Sequence, residues 1–81
     1  MEYFAGYVDH RGRSSEILID ALTDSQAAAA ARRAVADLKR SFRASTGYRV
    51  RSGWYVLWYV RTSDGRMVYN RRAGLNRKLE N

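Results

Sequence analysis

The chain has no cysteine and a single histidine among its 81 residues. Without cysteine there is no disulfide and no thiolate metal site, and nothing ties the fold to an oxidising compartment. One histidine excludes a histidine-cluster metal site, and a Ser/His/Asp triad would have to be built around it. That residue, His10, lies in DHRGR, a hairpin-turn sequence, and is expected to be exposed there. No apolar run approaches the roughly 20 residues that cross a membrane. The N-terminus lacks a basic start followed by an apolar run, so no signal peptide is expected, and the protein is expected to be soluble and cytoplasmic. No cofactor motif and no catalytic constellation is visible, so neither cofactor nor enzymatic activity is expected.

What is present is charge and aromatic mass. Hydrophobic residues make up 46% of the chain and aromatic residues 12%, which excludes a disordered chain and suits one small domain with a thin stability margin. The net charge is +7. Thirteen of the fifteen basic residues are arginine, whose planar guanidinium pairs with phosphate or carboxylate in two-pronged fashion and stacks on rings. The charge is unevenly spread. Residues 1–25 carry two basic against five acidic groups, and residues 26–81 carry thirteen against three. Such asymmetry points to one face meeting a polyanion.

The local patterns read in order as hairpin, helix and meander. EYFAGYVD (2–9) alternates as a strand, with Tyr3, Ala5 and Tyr7 on one face. Gly6 inside it signals a bulge or a close neighbour. HRGR turns the chain, and SSEILIDA (14–21) returns it with Ile17 and Ile19 on one face. Thr23 followed three residues later by Gln26 is a capping box, so a helix is expected over about 24–45, ending at Gly47. Its buried stripe is Ala27, Ala31, Ala34, Val35, Leu38 and Phe42. YRVRSGWYVLWYVR then reads as one bent strand or two, joined at Ser52-Gly53. Asp64-Gly65 is a hairpin signal, with RMVYNR returning. The expected class is α+β: an antiparallel sheet of four to five strands with one helix packed on one face, in a domain spanning 1–72. Residues 73–81 are expected to be a basic tail or short helix.

One helix leaves one sheet face less covered. By parity, Trp54, Val56, Trp58 and Val60 share the face expected under the helix. Arg49, Arg51, Tyr55, Leu57, Tyr59 and Arg61 share the face expected to be open. A two-residue Asp64-Gly65 turn would add Val68 and Asn70 to that face and lay Arg71 over Trp58. Arginine interleaved with tyrosine suits either single-stranded nucleic acid or a protein hot spot. The expected partner-binding residues are Arg49, Arg51, Tyr55, Tyr59, Arg61, Arg71 and Arg72. The equally simple alternative is a wet sheet face kept soluble by arginine.

The hairpin YFAGYVDHRGRSSEILID, the helix DSQAAAAARRAVADL and the strands after it resemble, in layout and composition, small phage and mobile-element anti-CRISPR proteins. That resemblance implies a non-enzymatic inhibitor in the host cytoplasm, as monomer or homodimer. Its partner would be a protein or nucleoprotein complex that processes nucleic acid. A basic chain is no DNA mimic and would grip acidic or RNA-bearing parts of such a complex. Direct binding of single-stranded nucleic acid is the second reading. YRVRSGWYVLWYVRTSDGRMVYNRRAGL also resembles the C-terminal sheet of RelE/ParE-type toxins, which implies RNA cleavage by Arg61, Tyr69 and Arg71. That family opens with a strand and two helices, whereas this chain opens with a hairpin and shows one helix.

Overall fold

A computed structural model, which describes residues 1–71, sets one helix across one face of a four-stranded antiparallel sheet. Strands β1 (Glu2–Val8) and β2 (Ser14–Asp20) form the first hairpin. Helix α1 spans Asp24–Thr46, and β3 (Val56–Thr62) and β4 (Met67–Asn70) complete the sheet in the order β2-β1-β3-β4. The α+β class is as expected, and four strands fall within the expected four to five. Arg72 and the expected tail lie outside the described residues.

Alternation in β1 builds the core. Tyr3 and Ala5 are fully buried, paired with Ile19 and Ile17 on β2 and with Thr62 and Val60 on β3. Paired residues in an antiparallel ladder share a face, so this row forms the floor under the helix. Ala27, Ala31 and Val35 close it from above. The two alanines present only methyl groups, which lets the helix sit close to the sheet.

The helix ends where its caps dictate. Thr23 is extended, and its hydroxyl accepts the Gln26 amide at 3.2 Å. The Gln26 carboxamide accepts the Leu22 amide at 3.3 Å, one residue before the position expected of a capping box. Gly47 takes φ 71°, and its amide closes onto the Arg43 carbonyl at 2.9 Å. Thr23→Ala is expected to cost about 1 kcal/mol, and Thr23→Ser to restore most of it, in thermal denaturation followed by circular dichroism.

Two expectations about the second half are corrected. Tyr48–Arg51 is not a strand; it belongs to a loop that turns at residues 52–55 before β3 begins. The parity reading of β3 holds only in part. Gly6 pairs with Tyr59 and Tyr7 with Leu57, so Trp58 is an extra residue in β3 with no Cα partner on β1. This bulge reverses the parity. Val60 and Thr62 face the helix as even positions, but before the bulge it is Leu57 that is buried and Tyr55 that packs against the core. Leu57 and Tyr55 are therefore not on the open face.

The β3–β4 connection is also longer than a two-residue turn. The Thr62 amide donates to the Arg66 carbonyl at 2.9 Å, and the Thr62 hydroxyl bonds the Asp64 carboxylate. Asn70 pairs with Tyr59 and so joins the open face as expected, but a register shift sets Met67, not Val68, opposite Arg61. Val68 packs against the core.

Candidate functional site

The open sheet face carries Tyr59 and Arg61 as expected, but both are already engaged. Arg61 grips Glu16 with Nε and Nη2 at 2.9 and 3.0 Å, and the Tyr59 hydroxyl donates to the same carboxylate. The Arg61 guanidinium also lies over the Phe4 ring at 4.6 Å. The hydrogen bonds from Arg61 and then Tyr59 hold the Glu16 carboxyl below its ordinary value, and burial followed by Glu16 pushes the Tyr59 phenol up. The ring sits over Gly6, where a Cβ would stand 2.1 Å from ring carbon Cε2. A charge-neutral, hydrogen-bonded clamp of this kind offers no free cation to a polyanion.

The opposite edge of the core has its own clamp at the helix N-terminus. The Tyr3 hydroxyl donates to Asp24 at 2.9 Å, and Arg66 reaches the same carboxylate at 2.8 and 3.0 Å. Arg66 first, then Tyr3, depress the Asp24 carboxyl. Acidification should therefore destabilise the protein. Glu16 and Asp24 titrate lower folded than unfolded, so their contribution is complete above the unfolded values near 4.5 and 3.8 and is lost as pH falls below them. Melting temperature is expected to be flat from neutral down to about pH 5 and to fall below it, and Glu16→Gln should flatten part of that fall.

A cluster of cations without an ion pair lies at the other end, where the helix C-terminus, the β1–β2 turn and the 47–55 loop meet. Here His10 is not exposed, contrary to expectation. Its ring stacks on Phe42 at 4.8 Å, its Nδ1 is 2.9 Å from the Tyr55 hydroxyl, and Trp54 stands edge-on at 6.3 Å. Phe42 meets Trp54 edge-on at 5.8 Å, and Tyr7 stacks on Tyr55 at 6.3 Å. This aromatic floor anchors the loop. Tyr55 has φ 52°, in the left-handed region that a bulky side chain rarely adopts. Its amide donates to the Val8 carbonyl at 2.6 Å, which ties the strained residue into the sheet end.

On that floor the loop displays Tyr48, which is 71% exposed, with Arg49 and Arg51 exposed beside it. The Arg51 guanidinium lies over Trp54 at 5.8 Å. A concavity of about 440 Å³ is lined by Tyr48, Arg49, Val50, Arg51 and Trp54. A second of about 440 Å³ is lined by Arg43, Ala44, Gly47, Tyr48 and Arg49. The chain has no aspartate or glutamate from Leu38 to Ser63. Among the described residues Arg43, Arg49 and Arg51 make no ion pair, while Asp9 in the adjoining turn is occupied by the Arg11 and Arg13 amides.

The expected partner-binding residues thus separate. Arg49 and Arg51 sit together on the loop, and Tyr55 supports them from the floor. Tyr59 and Arg61 are closed onto Glu16 on the open face. Arg71 is exposed, with its guanidinium 5.8 Å from the Trp58 ring centre as expected. The toxin-like trio is not gathered, since Arg61 is on the open face and Tyr69, paired with Val60, packs on the helix side under Arg32. Sequence reasoning did not single out Arg43 or Tyr48 as site residues, setting Tyr48 by parity on the covered face, and took His10 for an exposed turn residue. The only signal for Arg43 and Tyr48 is an acid-free, arginine-rich run ending in aromatics, and His10 carries none. No group of three or more metal-ligating side chains occurs among the described residues, and no described helix is long and apolar enough to cross a membrane. Compared with protein-family models, with curated proteins and with solved structures, the chain matches none, and the site stands on its own geometry.

Proposed function

We propose that this is a small non-enzymatic binding protein, an inhibitor of the anti-CRISPR kind, that engages a nucleic-acid-processing effector complex through the arginine–aromatic end. One observation carries the reading. Arg43, Arg49 and Arg51 surround exposed Tyr48 and half-buried Trp54 with no acidic side chain in that stretch of chain, while Arg61 on the sheet face is spent on Glu16. Arginine and aromatic residues dominate interface hot spots, and unpaired guanidinium groups select an anionic counterpart. A basic surface of this kind grips nucleic acid or an acidic protein face; it does not imitate DNA.

Affinity capture with the wild-type chain and with Arg49→Ser/Arg51→Ser, run in parallel, tests the reading. The expected result is a nucleic-acid-processing complex held by the wild type and depleted at least about tenfold with the variant, since each hot-spot truncation costs more than about 1 kcal/mol. Both side chains are exposed, so the variant should keep its circular dichroism spectrum. Equal recovery, or recovery of no such complex, removes the reading.

A further inference from the structure

The two concavities at this end share Tyr48 and Arg49 and differ in character. The first is walled by Tyr48, Val50 and Trp54, with Arg51 laid over the indole. The second is rimmed by Arg43 and Arg49 around the glycine that ends the helix. A largely apolar cleft with aromatic walls beside a cationic one is the complement of a nucleotide, whose base is a flat ring and whose phosphate is an anion.

We infer that this end holds one unpaired nucleotide of a single nucleic-acid strand, its base against Tyr48 in the Tyr48–Trp54 cleft and its phosphate between Arg43 and Arg49. The inference rests on the reading above that this end is the working surface, and it names what is gripped. Three features favour the single strand over other anions. An acidic protein segment has carboxylates for the arginines but needs a separate aromatic side chain for the exposed Tyr48 face, whereas a nucleotide carries ring and anion in one unit. A duplex keeps its bases stacked on one another, so none is free for a side-chain ring. A volume of about 440 Å³ is within the range of small-ligand sites, large enough for a base and too small for a folded element. The walls also carry no carboxylate or carboxamide side chain. Stacking accepts any base, so sequence preference should be weak.

The test is fluorescence anisotropy of short labelled oligonucleotides with the full chain. The arms are a single strand of DNA, the same strand of RNA, an abasic single strand of equal length and a duplex. The base-bearing strand, as DNA or RNA, is expected to bind about 5- to 150-fold more tightly than the abasic one, the range that one stacked base supplies. Tyr48→Ala should erase that difference, and its exposure makes loss of the fold a poor explanation. Arg49→Gln should keep the difference but lower the slope of log affinity against log salt by about 0.7 between about 50 and 200 mM salt. Abasic and base-bearing strands binding equally, duplex binding as tightly as single strand, or Tyr48→Ala binding like wild type would each overturn the inference. If no oligonucleotide binds while the effector complex is still captured through Arg49 and Arg51, the nucleotide site is wrong and the proposed function stands. If capture also fails, both fall.

Discussion

Tyr3→Ala should cost the protein about 3–5 kcal/mol, the largest loss expected of any single truncation here. Among the described residues, Tyr3 and Val60 are the largest side chains with no exposed surface. It stands at the centre of the sheet, between Ile19 and Thr62. Truncating a buried aromatic ring costs about 3–5 kcal/mol through lost transfer energy and the cavity left behind. An 81-residue domain has a total stability of only about 4–12 kcal/mol, so the loss consumes much of the margin. The substitution also takes from Asp24 the phenol that helps fix the helix N-terminus to the sheet. Tyr3→Phe separates the two effects: it keeps the ring, removes only the hydroxyl and should lose much less. Urea denaturation measures both. A Tyr3→Ala loss of less than about 1 kcal/mol would mean that the core is not organised around this ring.

Gly6→Ala should destabilise the protein by about 1–3 kcal/mol, although alanine normally suits a strand better than glycine. The backbone at Gly6 has no positive φ, so strain is not the cause. The cause is the Tyr59 ring, whose atoms Cε2 and Cζ would lie 2.1 and 2.2 Å from the new methyl group. The ring must leave its seat, and with it goes the hydroxyl that holds Glu16. Arg61 is then left with a less fixed partner. A double-mutant cycle isolates this contact: with Tyr59→Ala already in place, Gly6→Ala should cost at least about 1 kcal/mol less than in the wild type. Additive effects would show that the ring does not rest on Gly6.

These two residues also mark where the sequence could and could not be read. Everything set by neighbours along the chain was legible. Alternation from Tyr3 to Tyr7 and at Ile17 and Ile19 predicted the hairpin and its buried face. Thr23, Gln26 and Gly47 marked the helix to within a residue, because caps are local hydrogen-bonding demands. Gly6 was suspected of a bulge or close neighbour, and the close neighbour is there: the Tyr59 ring covers it, while the extra residue lies on the strand opposite. The bulge at Trp58 was not legible, because it arises where β3 meets β1 across some fifty residues of chain. Missing it put Tyr55 and Leu57 on the wrong face. The loop role of Arg49 and Arg51 was hidden for a similar reason. YRVR alternates as a strand does, and only the Val8 carbonyl reaching the Tyr55 amide shows that the sheet begins after it. The pairing of Arg61 with Glu16 likewise follows from β1 lying between β2 and β3, a topology that no local pattern encodes. Hence the arginine–tyrosine face was found, and its neutralisation was not.

The central claim is that the arginines and rings of the 43–55 segment form the open site of this protein, while Tyr59 and Arg61 on the sheet face are closed onto Glu16. Mapping backbone amide shifts of isotope-labelled protein by nuclear magnetic resonance, during titration with a short single-stranded oligonucleotide, tests it most directly. The predicted result is a continuous patch of shifted amides from Arg43 to Tyr55, with Phe4, Glu16, Tyr59 and Arg61 unmoved. Shifts concentrated on Phe4, Glu16, Tyr59 and Arg61, with the loop silent, would contradict the account.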